Sequence, residues 1–252
     1  MKLKANLSDD LRFTLPVIAE NMFTSGVSLI YSAVTGAISP GALAASSVAN
    51  QAMNLVFALF AMLTVGSAIL VARQTGRGDS AEAASTAEAT IFMGLISDTA
   101  VMLLLFAFSG PIMKLLMPGA EKKFFSEGTV YYRLILISVP PVVLSNSAAS
   151  MLRAAGNSRQ VLASNVLMNF VQLLCVWLFT GVLNWGIRGT ALATVVCRYV
   201  NALYLLIALS RNRRGFHMRI LNVIHPQLSC VKHIVAVGLP ASVDSKIGRA
   251  HV

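Results

Sequence analysis

Six apolar stretches, at about residues 11–36, 47–72, 86–109, 128–150, 160–183 and 188–210, each exceed the roughly 20 residues that carry a helix across a bilayer. Hydrophobic residues make up 56% of the chain, charged residues only 12%, and mean hydropathy is +0.71. That is more apolar surface than a water-soluble domain of 252 residues normally carries. Open strands in lipid would leave amides unpaired at a cost of several kcal/mol each, and the alternating ten-residue segments of a barrel do not occur here. The expectation is an all-α integral membrane protein with six spanning helices. Lys2 and Lys4 ahead of the first run, with Ala42-Leu43-Ala44 after it, imitate a secretory leader. The run is longer than a leader's apolar core and a second span follows almost at once, so it reads as a retained helix.

The net charge of +10 raises nucleic acid as a partner until the positions of the charges are considered. With the N-terminus in the cytoplasm, Lys2, Lys4, Arg12, Arg73, Arg77, Arg153, Arg159, Arg211, Arg213, Arg214, Arg219 and Lys232 lie inside. Only Lys114, Lys122, Lys123 and Arg188 lie outside. This is the positive-inside bias, and it predicts a multi-pass protein of the cytoplasmic (inner) membrane with both ends of the six-helix unit in the cytoplasm. The bilayer is the partner of these charges and nucleic acid is not; Arg211 to Arg219 would meet anionic headgroups at about 1 kcal/mol per basic residue. Cys175, Cys197 and Cys230 show no CxxC spacing, and none lies in a segment assigned outside, which argues against disulfides and zinc.

A restart follows the sixth span. Leu15-Pro16 with Glu20 four residues on returns as Leu239-Pro240 with Asp244 four on, so the proline moves from position 16 to position 240. Parallel duplication of a six-helix unit is one way secondary transporters are built. The predicted organisation is a six-helix transmembrane lobe over 1–210, a basic cytoplasmic linker over 211–230, and the start of a seventh helix over 231–245. That makes the chain one lobe of a 6+6 parallel-repeat transporter whose other partner is its own missing C-terminal lobe. The last six residues, Ile247-Gly248-Arg249-Ala250-His251-Val252, break the apolar pattern and are what ATC GGA AGA GCA CAC GTC, one frame of a common sequencing adapter, encodes. Lys246 fits the same frame, so residues 246–252 are read as adapter sequence, with a natural polar tail as the alternative.

Motifs recur between and within the spans. Leu15-Pro16 and Glu20-Asn21 lie in span one, and Pro40-Gly41-Ala42-Leu43-Ala44-Ala45 leads into span two. Val71-Ala72-Arg73-Gln74-Thr75-Gly76-Arg77-Gly78-Asp79 forms the first cytoplasmic loop. Tyr132-Arg133 and Pro140 lie in span four, and Leu152-Arg153-Ala154-Ala155-Gly156-Asn157-Ser158-Arg159 forms the second cytoplasmic loop. Gly186-Ile187-Arg188-Gly189-Thr190-Ala191-Leu192-Ala193-Thr194 opens span six. In order and spacing, over about residues 11–245, this set resembles the multidrug and toxic compound extrusion family. Physically, Gly76 and Gly78 allow the first tight reversal and Gly156-Asn157 the second. Pro16 and Pro140 each remove a backbone donor and predict kinks.

A pathway for polar cargo should appear as polar side chains in helical register, because such groups are costly against lipid. Span one offers Asn21, Ser25, Ser28 and Ser32; span two Asn50 and Asn54; span five Asn165, Asn169 and Gln172. Together with Glu20, Asp98, Asn146 and Thr194 these are the candidate substrate and cation pathway, each with the alternative of an interhelical hydrogen bond worth about 0.6–2 kcal/mol. Asp98 is either a protonatable site or the partner of Arg133 or Arg198. Met53, Met62, Met93, Met102 and Met168 either line an adaptable pocket or simply pack.

The resemblance implies cation-coupled antiport of organic, often cationic, drugs, with Asn169 matching a cation-site asparagine. Two departures matter. An aspartate expected about fifteen residues after the Leu-Pro proline is replaced by Tyr31, and one four residues after the asparagine by Leu173. Coupling to H⁺ or Na⁺ is therefore expected mainly in the second lobe, with Glu20 or Asp98 assisting. The competing reading is a lipid-linked oligosaccharide flippase of the same superfamily. No HExxH or GxGD motif occurs, and His217, His225 and His233 lie in or beside the linker, so neither enzyme activity nor a metal or organic cofactor is expected.

Overall fold

The computed structural model describes residues 7–38, 40–119 and 121–212, with side chains from Asn21 onward except at 40, 59 and 61–63. The predicted seventh helix, most of the linker and the 246–252 tail lie outside the described residues. Eight α-helices follow in order among the described residues: α1 Leu7–Ile38, α2 Pro40–Gly76, α3 Ser80–Ala107, α4 Ser109–Leu116, α5 Lys122–Leu136, α6 Val139–Ala154, α7 Ser158–Val176 and α8 Gly186–Ser210. A π-helical turn, Trp177–Val182, continues α7. No strand occurs among these residues.

Of the six apolar runs, α3, α7 with its π turn, and α8 are each long and apolar enough to cross a membrane alone. At 32 and 37 residues, α1 and α2 also exceed the length needed. Run four differs from a single kinked helix. It is two helices, α5 and α6, bent by 43°, with the break at Ile137–Ser138 and Pro140-Pro141 in the first turn of α6. Two prolines in succession are tolerated there because the first N–H groups of a helix have no internal acceptor. The other predicted kink is different again, since α1 runs through Pro16 without interruption.

Both loops read as tight reversals are built alike. After α2, Gly78 takes φ +79°, its N–H donates to the Thr75 carbonyl, and the Asp79 N–H donates to that of Gln74. After α6, Gly156 takes φ +74° while its N–H and that of Asn157 donate to the carbonyls of Arg153 and Leu152. Each pair satisfies two end carbonyls through a left-handed residue that glycine supplies without steric cost. Asp79 then caps α3 by accepting the Glu82 N–H at 3.2 Å, and Asn157 Nδ2 instead reaches Asn212 Oδ1 at 3.2 Å.

Packing concentrates in two clusters. One lies between α2 and α5, where Ala42, Ala45, Ala49 and Met53 meet Tyr131, Tyr132, Ile135 and Leu136. Small residues permit this close approach: a Cβ added to Gly128 would fall 3.1 Å from that of Ala45. The other cluster joins α3, α6 and α8 through Ala83, Ala87, Ala148, Leu152, Leu205 and Leu209. Apolar side chains such as Leu29, Leu55, Leu103 and Leu203 face outward, as lipid contact requires.

Candidate functional site

The interior of the bundle holds a hydrogen-bonded polar seam centred on α1. The Tyr31 and Tyr131 hydroxyls lie 2.7 Å apart. Tyr31 Oη also donates to the Thr190 carbonyl at 3.4 Å and accepts from Thr194 Oγ1 at 3.4 Å. Asn50 Nδ2 reaches Tyr131 Oη at 3.5 Å. Two turns away along α1, Asn169 Nδ2 donates to Thr24 Oγ1 at 3.0 Å. Residues 24, 31 and 35 recur at seven and four, so one face of α1 carries Thr24, Tyr31 and the fully buried Thr35 inward. The seam therefore ties α1 to α2, α5, α7 and α8 through neutral groups.

Three predicted pathway residues, Asn50, Asn169 and Thr194, come together in this seam. Asn21 and Asn54 are exposed, Asn146 is exposed in a pocket of about 200 Å³ between α2 and α6 that Thr64 and Arg153 also line, and the serines Ser25, Ser28 and Ser32 lie on the same exposed face of α1 as Asn21. Asn165 and Gln172 are half-buried on α7. The Glu20 side chain lies outside the described residues. Of the methionines, Met53 is core and Met102 packs against it.

Asp98 stands apart on α3. It is fully buried, Oδ1 accepts from Ser97 Oγ at 3.4 Å, and Oδ2 has no partner among the described residues. A Cβ on Gly94, one turn back, would stand 3.6 Å from Oδ2. The expected arginine partners are engaged elsewhere. Arg133 Nε donates to Ser109 Oγ at 2.7 Å and its guanidinium stacks over the Phe106 ring at 5.7 Å. Arg198 Nη1 donates to Ser138 Oγ at 2.6 Å and its guanidinium lies 5.7 Å from the Phe57 ring centroid. Arg198 thus stitches α8 to the break between α5 and α6, and the neighbouring Tyr199 Oη donates to the Ile137 carbonyl freed there, at 3.2 Å. The ion-pair alternative for Asp98 is not realised.

An apolar cavity of about 730 Å³ lies between α1, α7, the π turn and the start of α8. Ile30, Val34, Leu173, Val176 and Trp177 form much of its wall, with Thr180 and Asn184 as polar points. Among the described lining residues none is charged and none is methionine. Both positions where the resemblance led us to expect carboxylates are now accounted for: Tyr31 sits in the seam and Leu173 in the cavity wall. Thr24, Tyr131 and Thr190 were not singled out from the sequence. The 24-31-35 spacing is the signal that points to α1's inward face, whereas nothing local marks Tyr131 as its partner.

The π turn places its backbone hard against α8. A Cβ on Gly189 would fall 3.0 Å from the Phe179 carbonyl oxygen, and the Phe179 ring stacks on Trp185 with centroids 5.4 Å apart. Turns of this kind are rare and concentrate at functional sites; here it forms one end of the cavity.

Among curated proteins, a probable multidrug resistance protein NorM from Thermotoga maritima is 24% identical over 239 residues, 93% of this chain and 51% of its own length. Protein DETOXIFICATION 39 of Arabidopsis thaliana is 27% identical over 198 residues, 75% of this chain and 37% of its own. The fold matches a MOP superfamily transporter from Pyrococcus furiosus with a TM-score of 0.81 at 21% identity, covering 92% of this chain and 51% of the other. The chain spans about half the length of these two fuller matches, NorM and the Pyrococcus transporter. A family model described as MatE matches residues 16–178, more than half of the chain, and the chain belongs to that family of membrane transporters.

Proposed function

We propose that the protein is a secondary active exporter of organic, often cationic, compounds, which moves them by alternating access between two six-helix lobes, the first being this chain. The observation that carries the reading is the 730 Å³ cavity with an uncharged, largely apolar wall. Its size falls within the roughly 300–1,000 Å³ that takes a drug-sized molecule, and apolar walls with a few polar points suit such cargo. An oligosaccharide diphosphate would want a polar, basic enclosure, so the flippase alternative is less well served. On this reading a single lobe does not export alone, because the pathway forms between two.

The seam adds a reading of coupling. Among the described residues neither this cavity nor the seam carries a carboxylate, Tyr31 and Leu173 standing at the two expected positions, and on this reading H⁺ or Na⁺ binds mainly in the second lobe. Asp98 assists from α3: an ionised carboxylate with an unbonded oxygen in an apolar interface costs several kcal/mol, and a bound proton or cation removes that cost. Expression of the intact protein in a drug-sensitive, exporter-deficient host tests the proposal, following a fluorescent organic cation with and without Na⁺ and a proton gradient. Ion-dependent efflux is expected, and Val34→Trp, which narrows the cavity, should reduce it at unchanged membrane abundance. Absence of efflux from well-inserted wild-type protein overturns the proposal, and full efflux by the tryptophan variant refutes the cavity as the cargo's seat.

A further inference from the structure

At the end of the bundle opposite the Gly78 and Gly156 turns, α3 bends into the short helix α4 and leaves an apolar groove of about 400 Å³ in the elbow. Leu104, Phe108, Ile112 and Leu115 are among its lining residues, and no charged or polar side chain contributes. The surrounding surface of α3 is exposed and apolar at Leu103, Leu104 and Phe106. A lipid-facing position explains that surface.

Arg133 is held beside this elbow. Its Nε donates to the buried Ser109 hydroxyl at 2.7 Å and its Cζ lies over the Phe106 ring, 5.7 Å from the centroid, two residues belonging to the same α3–α4 bend. The residue is nevertheless exposed, and its terminal nitrogens have no acceptor among the described residues. The guanidinium is thus oriented by one hydrogen bond and one ring while its outer edge stays open. An arginine on a lipid-facing helix without an acidic partner needs an anion or water, and a planar fork with two free nitrogens matches phosphate oxygens two at a time. Lys114, Lys122 and Lys123 are exposed at this same end, against Glu121 and Glu127. The local balance is positive, which favours an anionic headgroup at this end.

We infer that the α3–α4 elbow is a binding site for an anionic phospholipid, whose phosphate sits on the Arg133 guanidinium and whose acyl chain lies in the apolar groove. The inference does not depend on what the protein transports. It differs from general annular contact because headgroup and chain are read by two separate features, a positioned guanidinium and an open apolar groove at the bend.

Native mass spectrometry of the intact protein, released from nanodiscs holding equal parts phosphatidylglycerol and phosphatidylcholine, tests it. Wild type should retain phosphatidylglycerol over phosphatidylcholine, and Arg133→Gln should lose about tenfold of that preference, the worth of one charge-assisted bidentate contact. Arg133→Lys should keep part of it, because the charge remains without the fork. Ile112→Trp, which fills the groove and leaves the guanidinium in place, should reduce retention of both lipids and serves as the second probe if Arg133→Gln inserts poorly. Equal retention of the two lipids by wild type, or an unchanged preference in well-inserted Arg133→Gln, overturns the inference. So does unchanged retention in Ile112→Trp.

Discussion

Tyr31→Phe is the most informative single change, because it removes one oxygen atom from the centre of the seam and leaves the ring in place. The hydroxyl makes one short bond, 2.7 Å to Tyr131, and two long ones, 3.4 Å each, to the Thr190 carbonyl and Thr194. Thr194 keeps its own bond to the Thr190 carbonyl at 3.0 Å, so it is not orphaned. Tyr131 is fully buried and is left only with Asn50 Nδ2 at 3.5 Å, the limit of a hydrogen bond. Stranding a buried hydroxyl costs about 1–3 kcal/mol, and interhelical bonds in membranes are worth about 0.6–1.7 kcal/mol. The expected loss is therefore about 1–2 kcal/mol. Paired with Tyr131→Phe in a double-mutant cycle, read by reversible unfolding in mixed micelles, the double variant should cost less than the sum of the singles by about 0.6–1.7 kcal/mol, since no phenol is then stranded. A coupling energy indistinguishable from zero, below about 0.3 kcal/mol, refutes the claim that this pair joins α1 to α5.

Gly189→Ala should destabilise the protein by about 1–3 kcal/mol, since the added methyl meets the Phe179 backbone at 3.0 Å and neither chain segment can step aside cheaply; thermal unfolding in detergent measures it. Asp98→Asn keeps the shape and removes the charge. Its unfolding midpoint should equal or exceed that of wild type, while efflux driven by a proton gradient falls; an unchanged dependence on the gradient removes Asp98 from the coupling account.

Much of the architecture was legible from local properties. The positions of the spans follow from runs of apolar residues, and the two tight reversals turn at Gly78 and Gly156, both left-handed in φ, whereas Gly76, read as part of the first turn, is the last residue of α2 and keeps an ordinary φ. Pro140 marked the right place in run four but understated the outcome, because Pro140-Pro141 begin a new helix instead of bending an old one. The candidate site was legible only in part. Asn50, Asn169 and Thr194 lie in the seam, yet the polar stripe read on α1 faces away from it, and the inward face carries Thr24, Tyr31 and Thr35.

The sequence by itself determined that the chain is a set of membrane helices with glycine-built turns, because hydropathy and backbone freedom belong to each residue and its near neighbours. Which face of each helix turns inward, that Tyr31 meets Tyr131, that Asp98 has no arginine partner among the described residues, and that a π turn packs against Gly189 beside an apolar cavity were decided only by tertiary structure. These depend on residues up to 163 positions apart being brought within hydrogen-bond reach. In a chain this uniformly apolar, the hydrophobic pattern does not discriminate one face from another. Small residues, glycine approach and the pairing of a few polar groups make that choice.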